Sequence, residues 1–182
     1  GDGVFLESAI EMLKKYGAHN KDISRQAHGV ELIKEEAAKA IERLYAKGIK
    51  NAVSQVYIGD FFIYSKKQLA NTIFYDAIIG NPPFIRYQNF TEDHRVIALA
   101  LMKRAGLHPN RLINTWIPFL IVSTLLLNKN GRLAMVIPAE LFQVNYAAET
   151  RKFLSEYYTH ITIITFKRLL FKNVQQDIIL LL

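Results

Sequence analysis

At 182 residues, 51% of them apolar and 21% charged, the chain is long enough for one domain with a sizeable core and too short for two. It has no cysteine, which rules out a disulfide framework, a cysteine-based zinc site and thiolate chemistry. The formal charge of +7 is unevenly placed: residues 1–60 carry nine basic and nine acidic side chains, whereas residues 61–182 carry fourteen and seven. Such an excess points to an anionic partner, nucleic acid first, or to nothing more than solubility.

Taken in chain order, the pattern alternates between helix and strand. Val4 to Tyr16 has Phe5, Ala9, Met12 and Leu13 at helical spacing. A polar loop and a short strand over Ala27 to Leu32 follow. Lys34 to Lys47 is an Ala-rich helix with Ile41, Leu44 and Tyr45 on its later face and Gly48 placed as its C-terminal cap. Ala52 to Ile58 is β-branched and aromatic, so a strand is expected there, and Phe74 to Ile79 is another, ending at Gly80.

Thr91 opens a helix that runs to Arg104, and Thr115 to Leu127 is an apolar, buried helix. The apolar run within it, Trp116 to Leu127, is interrupted by Pro118, Ser123 and Thr124 and falls short of the roughly 20 residues of a membrane span. Asn128-Lys129-Asn130-Gly131 reads as a turn, Arg132 to Ile137 as a strand stopped by Pro138, and Tyr146 to Tyr157 as a helix. Ile161 to Phe166 and Gln176 to Leu182 are strands joined without a helix, the pattern of an antiparallel hairpin at a sheet edge. Alternation of this kind implies an α/β fold built on a mostly parallel sheet. The chain opens on Gly1-Asp2-Gly3, with no basic leader segment. A Gly-x-Gly turn ordinarily follows a strand, so a first strand is expected upstream, in a longer protein.

Several segments bear on chemistry. The glycines of Gly1-Asp2-Gly3 allow close approach of a ligand to a helix N-terminus, although such a loop is often only a turn. Glu31, at the end of the second expected strand, suits ribose hydroxyls; its other reading is a surface glutamate beside a helix start. Asp60-Phe61 follows the third strand, where the carboxylate suits an adenine amino group and the ring its face. An aspartate in that place also commonly caps a turn.

Asn81-Pro82-Pro83-Phe84 is far more specific, since chance predicts this tetrad about once in a thousand chains of this length. It falls directly after the strand ending at Gly80, at the carboxyl end where open α/β sheets bind ligands. An exocyclic amino group is a poor nucleophile because its lone pair is delocalised into the ring. Two acceptors that hold its two N–H groups turn the lone pair outward, and the Asn81 side-chain oxygen and Pro82 carbonyl supply them. The proline rings stiffen the loop, and Phe84 offers a flat face for a base. In-line transfer of a methyl group then needs positioning more than acid–base chemistry.

These segments together resemble the catalytic domain of S-adenosylmethionine-dependent DNA adenine-N6 methyltransferases, particularly enzymes that combine restriction and modification in one polypeptide. The resemblance covers nearly the whole of residues 1–182. It implies a Rossmann-like class I methyltransferase sheet with an antiparallel C-terminal hairpin and a truncated first strand. By the same resemblance, Gly1, Asp2, Gly3 and Phe5 belong to the cofactor loop, Glu31 binds the cofactor ribose, and Asp60 and Phe61 lie at its adenine. Asn81, Pro82, Pro83 and Phe84 form the catalytic loop, followed by Arg86 and Gln88. Gly131 to Pro138 is similar to the fifth-strand segment of that family, and Phe171 with Val174 to Ile178 to its final hairpin. Phe171 and Arg86 are expected near the substrate base, with core packing the other role for Phe171. The implied cofactor is S-adenosylmethionine and the implied partner DNA, with further domains of the full-length chain, a cytoplasmic setting, and neither metal nor membrane. RNA bases and a protein glutamine are alternative acceptors, cytosine N4 is a further one, and a non-catalytic DNA-binding module or inactive fragment is the alternative from another class. Cytosine C5 chemistry is excluded because it needs a cysteine nucleophile.

Overall fold

A computed structural model describes residues 1–84, 92–109, 114–166 and 177–182. The chain divides into two compact units, Gly1–Tyr64 and Ser65–Leu182.

In the first unit, α1 (Val4–Lys15) and α2 (Asn20–Gln26) precede β1 (Gly29–Glu31), and α3 (Lys34–Ala46) and α4 (Ala52–Gln55) lead to β2 (Val56–Ile58). The two strands are parallel, with Gly29 opposite Val56 and Glu31 opposite Ile58. The core of this unit includes Ile10, Ile23, Ala37, Ala40, Leu44, Ile49 and Val56. Gly48 has φ +79 and takes over from the C-cap of α3, as the sequence indicates.

Two elements depart from expectation. Residues 20–26 read as polar loop, yet they form a helix, because the single apolar residue Ile23 is fully buried and tertiary packing replaces the missing periodicity. Residues 52–58 read as one strand, yet the first four make a helical turn. That turn places Ala52 and Gln55 in the interior and leaves only three residues extended.

A further helix, α5 (Phe61–Ala70), contains the boundary between the units and was not anticipated. Its signal is visible in retrospect. Asp60 stands where an N-cap belongs, and Phe62, Ser65 and Leu69 are its buried positions at helical spacing.

The second unit holds β3 (Tyr75–Gly80), α6 (Glu92–Arg104), α7 (Trp116–Leu125), β4 (Leu127–Pro138), α8 (Ala148–Tyr157), β5 (Ile163–Thr165) and β6 (Ile178–Leu181). The strand order is β3-β4-β6-β5. β3 and β4 are parallel, whereas β6 runs antiparallel to both β4 and β5. The C-terminal hairpin is therefore present, with its second strand inserted between β4 and β5. The expected turn at Asn128–Gly131 lies inside β4 as an irregularity: Tyr75 pairs with Leu127 and Ala77 with Arg132, so two steps along β3 face five along β4. Asn130, at φ +70, takes up the bend.

Helix α7 is buried on nearly every side, with Trp116, Leu120 and Ile121 fully enclosed. Pro118 is tolerated because it lies in the first turn, where the missing N–H has no helical partner to lose. The buried Thr124 hydroxyl donates to the Leu120 carbonyl at 3.0 Å or shares a hydrogen bond with the Tyr158 hydroxyl at 3.0 Å.

Candidate functional site

Each unit brings part of the expected site to the carboxyl end of its strands. In the first unit, Gly3 is the N-cap of α1 with φ +88. A Cβ at this position would meet the Ala40 Cβ at 2.6 Å and its Cα at 2.7 Å, so only glycine fits against α3. The loop is clamped by Arg43 from the next turn of α3. Its Nε donates to the Asp2 carbonyl at 3.0 Å, Nη2 to Asp2 Oδ2 at 2.6 Å, and Nη1 to Glu7 Oε2 at 2.9 Å. Lys47 adds an ion pair to Glu7 at 3.1 Å. The hydrogen bond from Arg43 holds the Asp2 carboxyl below the ordinary carboxylate range. Glu7 is held down likewise, chiefly by its hydrogen bond from Lys47, with Arg43 adding to it.

Glu31, the last residue of β1, joins this loop. One carboxylate oxygen contacts the Gly1 nitrogen, and the other accepts from the Ile33 N–H at 2.7 Å. Its carbonyl accepts from the Gly59 N–H at 2.9 Å. Thus Gly1, Glu31 and the Gly59-Asp60-Phe61 segment converge at the carboxyl ends of β1 and β2, although 60 residues separate the first from the last in sequence.

Asp60 has the capping role that was its other reading. Its Oδ1 accepts from the Phe62 N–H at 2.8 Å and the Ile63 N–H at 2.9 Å, at the start of α5. Phe61 is half-buried, its ring centroid 5.3 Å from that of Phe62 in an edge-to-face arrangement. Phe5 is exposed on the first turn of α1, apart from the apolar core.

In the second unit, Asn81-Pro82-Pro83-Phe84 leaves β3 directly after Gly80, which pairs with Met135 of β4. Asn81 is exposed and Pro82 buried. Phe84 is half-buried and packs against the core formed by α7, β4 and β6, so part of its ring anchors the loop. The Pro83 carbonyl accepts from the Thr115 hydroxyl at 2.7 Å. Arg86, Gln88, Phe171 and the Val174–Gln176 part of the final hairpin lie outside the described residues, as does Thr91.

Arg43 and Thr115 are the residues that sequence reading missed. For Arg43 the only signal is its i+3 spacing from Ala40, which puts both on the face of α3 that meets the glycine loop. Thr115 resembles an ordinary helix-starting threonine.

Comparison with known proteins identifies the family of the chain. The profile of the Eco57I restriction-modification methylase family matches residues 11–171. The type II methyltransferase M.AccI of Acinetobacter calcoaceticus is 30% identical over 101 residues, which are 54% of this chain and 18% of that protein. M.BstVI of Geobacillus stearothermophilus, another type II methyltransferase, is 25% identical over 179 residues, 87% of this chain and 30% of its own. The chain therefore spans less than a third of the length of these relatives.

Among solved structures, a nuclease-deletion mutant of the type ISP restriction-modification enzyme LlaGI, in complex with a DNA substrate mimic, superposes with a TM-score of 0.72. It has 14% identity, over 100% of this chain and 19% of that one. The M protein of the type I restriction enzyme EcoKI gives 0.61 at 16% identity, over 96% of this chain and 34% of that one. The fold is the mixed α/β fold of class I methyltransferases. The chain belongs to the Eco57I restriction-modification methylase family.

Proposed function

We propose that the protein transfers a methyl group from S-adenosylmethionine to the exocyclic N6 amino group of adenine in DNA, as the catalytic part of a longer restriction–modification polypeptide. The observation that carries this reading is the Asn81-Pro82-Pro83-Phe84 loop at the carboxyl end of β3. Membership of a restriction-modification methylase family supports it. So do relatives named as type II methyltransferases and the similarity to an enzyme solved with a DNA substrate mimic. The basic excess of residues 61–182 favours a nucleic acid over a protein acceptor.

The residues of the first unit fit the cofactor. Glu31 offers carboxylate oxygens to ribose hydroxyls, and Phe61 and Phe5 offer apolar faces. The N-terminal end of the twelve-residue helix α1, where backbone N–H groups point outward, suits the carboxylate of the methionine part. When bound, S-adenosylmethionine supplies an electrophilic methyl on a sulfonium.

The remaining work falls to Asn81 and its loop. The Asn81 side-chain oxygen accepts one amino N–H and the Pro82 carbonyl the other, which frees the nitrogen lone pair for attack. The nitrogen would gain a bond to the methyl carbon as that carbon's bond to sulfur breaks, leaving a neutral thioether, and would release one proton to solvent. Phe84 presents the exposed part of its ring to the base. On duplex DNA the adenine must first leave the stack.

The test is radiolabel transfer by the full-length protein on DNA, RNA and protein, followed by identification of the modified group. Label at adenine N6 in DNA is expected, and it should be lost on Asn81→Ala with cofactor affinity kept within about 3-fold. Label confined to RNA or to a glutamine, or wild-type transfer by Asn81→Ala, would overturn the reading.

A further inference from the structure

The segment Asn81-Pro82-Pro83-Phe84 has an unusual weakness: two of its four residues lack an N–H. The proline rings fix φ at positions 82 and 83, and Pro83 confines ψ of residue 82 to the extended range, but ψ of Pro83 stays open. Such a loop cannot be tied down through its own donors there, so a donor must come from elsewhere in the chain.

Thr115 supplies one. It is fully buried and stands at the N-cap of α7, the position where a threonine ordinarily turns its hydroxyl back onto a free helical N–H. No such capping bond forms. The hydroxyl donates instead to the Pro83 carbonyl, 32 residues away in sequence, at 2.7 Å. On the other side of Asn81, Gly80 is held in register by Met135. Asn81 is therefore bracketed by a strand pairing before it and, two residues after it, a bond from a buried side chain. Phe84 packs into the core just beyond.

We propose that Thr115 is a positioning residue for this loop: by holding the Pro83 carbonyl it sets where the Asn81 side-chain oxygen and the Pro82 carbonyl are presented to an amino group. The inference rests on reading Asn81 as the residue that holds the acceptor nitrogen. Angular placement of those two acceptors matters more to the transfer step than to cofactor affinity, because misplacement by about 1 Å costs up to about 100-fold in rate.

The test uses the full-length protein carrying Thr115→Val, which keeps the volume and removes the donor, and Thr115→Ser, which keeps the donor. Both are assayed for kcat on DNA, KM for S-adenosylmethionine and melting temperature. The valine variant is expected to lose kcat by about 10- to 100-fold with KM for the cofactor within about 2-fold, and serine to stay within about 3-fold of wild type. A valine variant with kcat within about 2-fold of wild type overturns the proposal, as does a folded serine variant as impaired as valine. If the valine variant does not fold, Thr115→Cys, a weaker donor of similar size, must fall at least about 3-fold in kcat, and wild-type kcat from it overturns the proposal. Wild-type transfer by Asn81→Ala would instead defeat the underlying reading. An inactive Asn81→Ala beside an unaffected Thr115→Val defeats the positioning role alone.

Discussion

Arg43 grips Asp2 twice, through the side chain at 2.6 Å and the main-chain carbonyl at 3.0 Å, and so ties the glycine loop to α3 across 41 residues. The same guanidinium reaches Glu7 one turn into α1. This fork geometry belongs to arginine; a lysine ammonium is a point charge that cannot span three acceptors in one plane.

The pH dependence of that clamp has a definite sign. Asp2 and Glu7 are both held below their ordinary range, so their contribution to stability is fully present above it and is lost as pH falls through the depressed values. The melting-temperature difference between wild type and Arg43→Met should stay constant from pH 8 to about 5 and shrink below about pH 4. Because the groups are only half-buried, raising salt should also reduce it. Thermal melts at several pH values check this, and a difference that grows on acidification would remove Arg43 as the cause.

At Gly3, substitution by alanine combines a left-handed backbone with a collision against Ala40. The expected loss is roughly 1–3 kcal/mol in chemical denaturation. A variant within about 0.5 kcal/mol of wild type would show that the loop has room the geometry denies it.

Asp60 allows a separation of roles. Asp60→Ala removes the acceptor for the Phe62 and Ile63 amides and should cost about 1 kcal/mol, whereas Asp60→Asn, itself a good N-cap, should be nearly neutral. Denaturant titration of both variants decides the matter, and equal losses would mean that capping is not the source of the effect. Calorimetry with S-adenosylmethionine on the same asparagine variant then reports any further role of the carboxylate.

For Glu31, truncation to alanine in the full-length protein should weaken S-adenosylmethionine binding by about 10-fold or more, the usual weight of a charged acceptor on hydroxyl donors. Unchanged calorimetric affinity would take Glu31 out of the cofactor site.

The placement of several candidate site residues is legible in the sequence. Asn81 to Phe84 is a rare tetrad whose chemistry follows from residue type, and Glu31 and Asp60 were placed at strand ends by the alternation of apolar segments. The helices over residues 34–46 and 148–157 and the strand after Asn128–Gly131 are strongly patterned, so local preference and tertiary demand agree. The misses share a cause. Residues 20–26 carry a single buried apolar side chain, and residues 52–55 turn helical so that Ala52 and Gln55 reach the interior. No periodicity announces either, because packing against distant elements decides them.

The sequence by itself determined the groups on offer: an Asn-Pro-Pro-Phe loop after a strand, a glycine turn at a helix start, an acid at a strand end, and no thiol. Only the tertiary structure decided which groups support them. Arg43 meets Asp2, and Thr115 meets Pro83, across separations of 41 and 32 residues. The insertion of β6 between β4 and β5 is of the same kind. Local pattern reports which face of an element is apolar, but a hydrogen bond between distant segments depends on how the chain closes on itself. An arginine on a helix or a threonine at its start looks the same in sequence whether it faces solvent or holds a distant loop.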